Sequence, residues 1–168
     1  MRIYDPKKIL VPVDFSPMSK EVLRAAIEIG KHRDADVCVL HVMRAAEHIA
    51  YYAGEFSGAV GMERVDEESK ILTETRLRNL LNELTTGPKV KPHLVMGDPV
   101  SEIIQYAEEE DIDLIVMATQ GRRDLSRLLM GSVTEQVVRC APCPVLSIRA
   151  KEHQLASPRV GTEDVAVN

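Results

Sequence analysis

The stretch "DLIVMATQGRRDLSRLLMGSVTEQVVRC", residues 113–140, decides how this chain folds. Leu114 to Met117 is a short continuous apolar run, the pattern of a buried strand. Gly121 follows, then nine residues that include Arg122, Arg123 and Arg127, then Gly131-Ser132-Val133-Thr134. From Ser132 to Cys140 the pattern becomes helical, with Val133 and Val137 on one face. Strand, glycine-bounded loop and capped helix together make one unit of an α/β sheet, with the loop at the carboxyl end of the strand.

The rest of the chain repeats the alternation. Ile9 to Val13 is a β-branched run stopped by Asp14. In "SPMSKEVLRAAIEIGKHRD", Ser16 suits a cap and Pro17 a first helical position. Val22, Ala25, Ala26, Ile29 and Arg33 then share a predicted inner face. Val37 to Val42 reads as a second strand, and residues 44–63, with Gly54, Gly58 and Gly61, as an irregular loop with room for a short helix. Arg64 to Leu84 reads as a helix carrying Ile71, Leu72, Leu77, Leu80, Leu81 and Leu84, ended by Gly87-Pro88. Val90 to Val95 is a third strand, and its Pro92 assigns it to a sheet edge or makes it irregular. "GDPVSEIIQYAEEED" is a helix capped by Asp98, with Val100, Ile103, Ile104 and Ala107 inward. "PVLSIR", residues 144–149, is a fifth strand. Residues 151–168 are polar and aperiodic, as expected of a mobile tail after a domain spanning 1–150.

Continuous apolar strands between amphipathic helices imply a parallel sheet covered on both faces. The expected fold is α/β: one open parallel five-stranded sheet of order 3-2-1-4-5, with helices on both faces. In that order strands one and four are neighbours and the winding reverses between them. Ligands of such sheets bind beyond the carboxyl ends of the strands at this switch point. "VDFS" after strand one and the glycine-bounded loop after strand four both lie there.

The chemistry of that place is legible. Gly121 lets the backbone turn tightly. Ser132 and Thr134 are expected side-chain caps for the helix after Gly131, whose free N–H groups form an anion site. The three arginines add positive charge. Asp14 is placed to accept hydrogen bonds from a base or ribose, and Val42 to form an apolar wall. Gly and Ser before a helix also serve as plain caps, and Asp after a strand is an ordinary turn residue. Pattern alone leaves nucleotide binding and loop chemistry both open.

Composition narrows the classes. The chain has 168 residues, 45% apolar and 28% charged, with a net charge of -5. That length suits one domain with a core. Lysines and arginines are interleaved with acids, so no basic stripe points to nucleic acid. No apolar run reaches the length that spans a bilayer, and Asp5, Pro6 and two lysines interrupt the N-terminus where a signal peptide needs apolar residues. A cytoplasmic location is the expectation, with which three cysteines, an odd number, agree. "CAPC", Cys140 to Cys143, has redox-type spacing, yet it follows a helix, where the dipole opposes thiolate formation. His41 lies near the crevice and is expected to be packed or hydrogen-bonded. No metal-ligand set and no catalytic triad emerges from the spacing.

"KILVPVDFS", "GDPVSEII", "DLIVMATQG" and "GSVTEQVVRCAPCPVLSI" together resemble the universal stress protein family, over roughly residues 6–150. The resemblance implies the adenine nucleotide alpha hydrolase-like fold. ATP-binding members carry Gly-x-x-Gly, nine residues, then Gly-Ser or Gly-Thr. Here Gly121, the spacing and Gly131-Ser132 match, while Ala118 replaces the first glycine. Its methyl group narrows the approach to the backbone. The resemblance implies that Pro12, Val13 and Asp14 contact the nucleoside, with Val42 and Met117 beside the base. It implies that Gly121, Arg122, Gly131, Ser132, Val133 and Thr134, with Ala118, surround ribose and the phosphates of ATP, on which Mg2+ sits. It also implies a homodimer paired through residues 144–149. The expected function is a nucleotide-dependent switch in stress response, with slow or no hydrolysis and no catalytic residue. The alternative is a nucleotide-free dimeric interaction module of the same fold.

Overall fold

The computed structural model describes residues 4–44, 59–84, 90–119 and 131–149, and of residues 59–66 the backbone alone. Five strands and four helices alternate along these segments: β1 Lys8–Pro12, α1 Pro17–Arg33, β2 Asp36–Met43, α2 Ala59–Asn82, β3 Val90–Met96, α3 Pro99–Glu109, β4 Leu114–Ala118, α4 Ser132–Cys140 and β5 Val145–Ile148. The strands form one sheet of order β3-β2-β1-β4-β5, and every neighbouring pair is parallel. This is the expected topology, with β1 beside β4 at the reversal of winding.

Strand alternation sorts the core into two layers. On one face Ile9, Val11, Val37, Val39, Leu114 and Val116 meet α1 and α2 through Val22, Leu23, Ala26, Leu77 and Leu80. On the other, Leu10, Cys38, Leu40, Ile115 and Met117 meet Ile103 and Ala107 of α3 and Val137 of α4. Each such aliphatic side chain contributes about 1.5–3 kcal/mol by leaving water. The central strands β1, β2 and β4 are therefore almost wholly apolar. Pro92 lies in β3, an outermost strand, where a missing backbone donor is tolerated.

Three local expectations are corrected. The buried stripe of α1 is Ser19, Val22, Leu23, Ala26, Ile27 and Gly30. Ala25 and Ile29 are only half-buried and Arg33 is exposed. The apolar sector of this helix is wide enough for either phase, and the sheet takes the one that buries the larger Leu23 and Ile27. Helix α2 begins at Ala59, so residues 59–63 are helical rather than loop, while 45–58 lie outside the described residues. Within α2, Ile71 is 56% and Leu72 67% exposed, although Leu77, Leu80 and Leu81 are buried as expected. The tail assigned to 151–168 also lies outside the described residues.

Helix ends follow local chemistry. Asp98 caps α3, its Oδ1 accepting from the Val100 and Ser101 backbone N–H groups, both at 3.1 Å. These bonds, the Ser101 amide foremost, hold its carboxyl below the usual aspartate range against a smaller opposing effect of burial. Ser16 occupies the N-cap position of α1 but makes no side-chain cap bond. The Ser19 N–H bonds instead to the Ser16 carbonyl at 3.0 Å.

Candidate functional site

The ends of β1 and β4 lie side by side, with Leu10 opposite Ile115. Beyond β1 the chain stays pinned to β2. The Val13 N–H donates to the Leu40 carbonyl at 2.9 Å. The Val13 carbonyl accepts from Nδ1 of buried His41 at 2.7 Å. A carbonyl only accepts, so Nδ1 carries the hydrogen in this arrangement. His41 is thus a packed, hydrogen-bonded residue, as its place in the sequence suggested. Phe15 covers the imidazole with ring centroids 4.4 Å apart.

Asp14, two residues beyond the end of β1, is half-buried. Its Oδ1 accepts from the Ser16 N–H at 2.9 Å and from the Ser19 hydroxyl at 3.0 Å. The Asp14 N–H in turn donates to the Ser19 hydroxyl at 3.3 Å. One carboxylate oxygen therefore holds the turn that leads into α1, while the Ser19 N–H is taken by the Ser16 carbonyl at 3.0 Å. The sequence signal for this Asp-x-Ser turn was present in "DFS", but the role of Ser19, one turn into the helix, had none.

The start of α4 is anchored from below. Thr119 donates its N–H to the Ile148 carbonyl of β5 at 2.9 Å, and its own carbonyl accepts from the Gly131 N–H at 2.7 Å. The buried Thr134 hydroxyl donates to the Ala118 carbonyl at 2.7 Å. Two bonds thus hold the first turn of α4 against the end of β4. Gly131 is the N-cap residue, with φ -59° and ψ 145°, and no side chain caps this helix. The expected cap roles of Ser132 and Thr134 are corrected accordingly: Ser132 is exposed at the first helical position, and Thr134 points back to the sheet. The turn that results offers the outward N–H groups of an uncapped helix start. The backbone at Gly131 suits any residue, so its dihedral angles do not require a glycine.

Of the other expected contacts, Pro12 and Val42 are half-buried at the strand ends. Val13 and Met117 are nearly covered, each 5% exposed, and pack into opposite core layers. Val42 packs against the same layer as Met117. Ala118 packs against the α1 layer. Gly121 and Arg122, like Arg123 and Arg127, lie outside the described residues.

The cysteine pair does not build a second site. Cys140 is the last residue of α4 and exposed, Cys143 is half-buried, and both are free thiols. Burial, helped by the nearby Asp113 carboxylate, pushes the Cys143 thiol above its ordinary range. Among the described residues no three His, Cys, Asp or Glu side chains come together to hold a metal. No helix among them is long and apolar enough to cross a membrane.

With the switch-point geometry in place, a family model described as the universal stress protein family matches residues 6–149. The chain belongs to that family. This universal stress protein is 36% identical over 143 residues to the universal stress protein MJ0531 of Methanocaldococcus jannaschii, covering 85% of this chain and 82% of the relative. Its structure is similar to that of MJ0577 from the same organism, with a TM-score of 0.73 and 30% identity, covering 89% and 99% of the two chains. It is also similar to the universal stress protein from Archaeoglobus fulgidus in complex with dAMP, with a TM-score of 0.56 and 25% identity over 84% and 96%. The adenine nucleotide alpha hydrolase-like fold expected from the sequence is thereby the fold of this universal stress protein.

Proposed function

We propose that this universal stress protein binds an adenine nucleotide in the crevice between the ends of β1 and β4 and acts as a nucleotide-dependent switch in stress response. The observation that carries the reading is the double anchoring of α4, Gly131 to Thr119 and Thr134 to Ala118, beside the end of β1. Donors held in place before a ligand arrives cost little to order on binding. The phosphates would take the N–H groups of Ser132, Val133 and Thr134. Thr134 would contribute its amide, since its hydroxyl is already engaged. Gly121 and Arg122 would close over the phosphates, with Mg2+ on ATP. The base would lie by Pro12, Val13 and Val42 above Met117, and Asp14 would face the nucleoside. The dAMP complex of the Archaeoglobus fulgidus relative supports the ligand class.

Ala118 bears on the alternative of a nucleotide-free module. Its side chain packs against the α1 core layer, and this favours a pocket that still admits ligand. The same protein would pair with a second copy through residues 144–149. β5 is an outer strand of the sheet, and its Leu146 is 41% exposed, an edge of the kind proteins cover.

Calorimetric titration of nucleotide-stripped protein with ATP and Mg2+ tests the reading. A dissociation constant of about 1–100 μM is expected, lost in Gly131→Val, where the added side chain occupies the space before α4. No binding by the native chain but binding by Ala118→Gly means the methyl group closes the pocket. Silence from both overturns the nucleotide reading and leaves the interaction module.

A further inference from the structure

We propose that Arg76, Phe15 and His41 form a positioning stack that sets the β1 side of the crevice and couples helix α2 to it; the ligand part of this proposal rests on the nucleotide reading above. Phe15 has φ 60°, a left-handed backbone for a bulky aromatic residue. Such a conformation persists only where the surroundings over-determine it, and it concentrates at functional sites. Here the surroundings are specific. The Arg76 guanidinium of α2 stands 4.4 Å from the Phe15 ring centroid. The His41 imidazole of β2 lies 4.4 Å from the same ring, tilted by 44°. His41 is itself fixed by its 2.7 Å bond to the Val13 carbonyl.

The consequence falls on Asp14. Phe15 is the single residue between the Asp14 carboxylate and the Ser16 N–H that binds it. Rotating Phe15 out of its left-handed conformation breaks that turn and releases the carboxylate from Ser16 and Ser19. The ring is therefore the handle by which the turn is held. Two elements grip the handle, and one of them is α2. That helix is seated by buried Leu77 and Leu80, one and four residues after Arg76, and by a 2.5 Å ion pair from Lys20 of α1 to Glu83 beyond the α2 end. A shift of α2 moves Arg76, loosens Phe15 and alters the wall against which a nucleoside rests. Arg76 and Phe15 are positioning residues and need not touch the ligand.

The test uses the full chain with Arg76→Gln, Arg76→Lys, Phe15→Leu and Phe15→Tyr. Two quantities are read: ATP–Mg2+ affinity by calorimetry, and the amide exchange of Ser16 relative to the core amide of Val39 in nucleotide-free protein. Arg76→Gln and Phe15→Leu are expected to weaken binding roughly three- to fivefold, the upper part of the range for a cation–π contact whose arginine is exposed. They are expected to speed Ser16 exchange by a similar factor while Val39 is unchanged. Arg76→Lys and Phe15→Tyr, which keep the cation and the ring, stay within about twofold of native on the same scale. Equal acceleration at Ser16 and Val39, lost affinity with unchanged Ser16 exchange, or no change in either quantity overturns the stack. If the native chain binds no nucleotide, the nucleotide reading fails, and the ratio of Ser16 to Val39 exchange alone decides whether the stack holds the turn.

Discussion

Thr134 and Ala118 are joined by a 2.7 Å hydrogen bond from the Thr134 hydroxyl to the Ala118 carbonyl, across sixteen residues of chain. The bond ties the first turn of α4 to the last residue of β4. It ties down a helix start otherwise free to fray.

Thr134→Val removes the donor at nearly constant volume and leaves the Ala118 carbonyl unpaired. The expected loss is about 1–3 kcal/mol of stability, with weaker nucleotide binding because the first turn of α4 is no longer tied down. Thr134→Ser keeps the hydroxyl and should recover most of both. Urea unfolding and calorimetry on the three proteins check this. Native-like stability in Thr134→Val would show that the bond does not anchor the helix.

Helix α2 separates apolar residues that hold the fold from apolar residues that do not. Leu77 is 1% exposed, and Leu77→Ala should cost about 2–5 kcal/mol. Ile71 and Leu72 face water, so Ile71→Lys and Leu72→Glu should each stay within about 0.5 kcal/mol of the native protein. Thermal unfolding of the three variants distinguishes them. A large loss at Ile71 or Leu72 would mean that those side chains are covered in solution.

Asp98 supplies an acid-sensitive part of the stability. Its carboxyl is held below the ordinary range by the Ser101 and Val100 donors. A depressed folded value means that the contribution is complete above the unfolded aspartate pKa of about 3.9 and is lost as pH falls through the lower folded value. Asp98→Ala should cost about 1 kcal/mol near neutral pH. The difference between variant and native protein should shrink in that acid window. Parallel unfolding curves at pH 7 and pH 3 measure it, and a difference independent of pH would contradict the cap.

Cys143 should be a sluggish nucleophile. Burial and the Asp113 carboxylate raise its pKa, so little thiolate exists at pH 7. Iodoacetamide labelling followed by mass spectrometry should modify Cys143 more slowly than a free model thiol, with the rate climbing only at alkaline pH. Replacing Cys140 and Cys143 together by Ser should leave nucleotide affinity unchanged. Fast labelling of Cys143 at neutral pH would revive a redox role for the pair.

What the sequence determined by itself was the order of elements and, through it, which strand ends lie side by side. Apolar runs such as Leu114–Met117 can only be buried strands in this setting, and Asp98-Pro99 starts a helix through contacts two and three residues away. Such signals are local, so they survive without a tertiary context. The parallel sheet, its order and the adjacency of β1 and β4 followed from them, and the resemblance of the motifs to the universal stress protein family agreed.

The tertiary structure decided everything that depends on phase and on partners distant in sequence. The apolar residues of α1 and α2 allow more than one rotation, and only the sheet beneath selects Leu23 and Ile27 or leaves Ile71 and Leu72 in water. Thr134 reads as a cap from its position, yet its hydroxyl finds a better-placed acceptor on β4. Arg76 carries no mark that would pair it with Phe15, sixty-one residues earlier. Periodicity records which residues prefer burial, and only packing records against what.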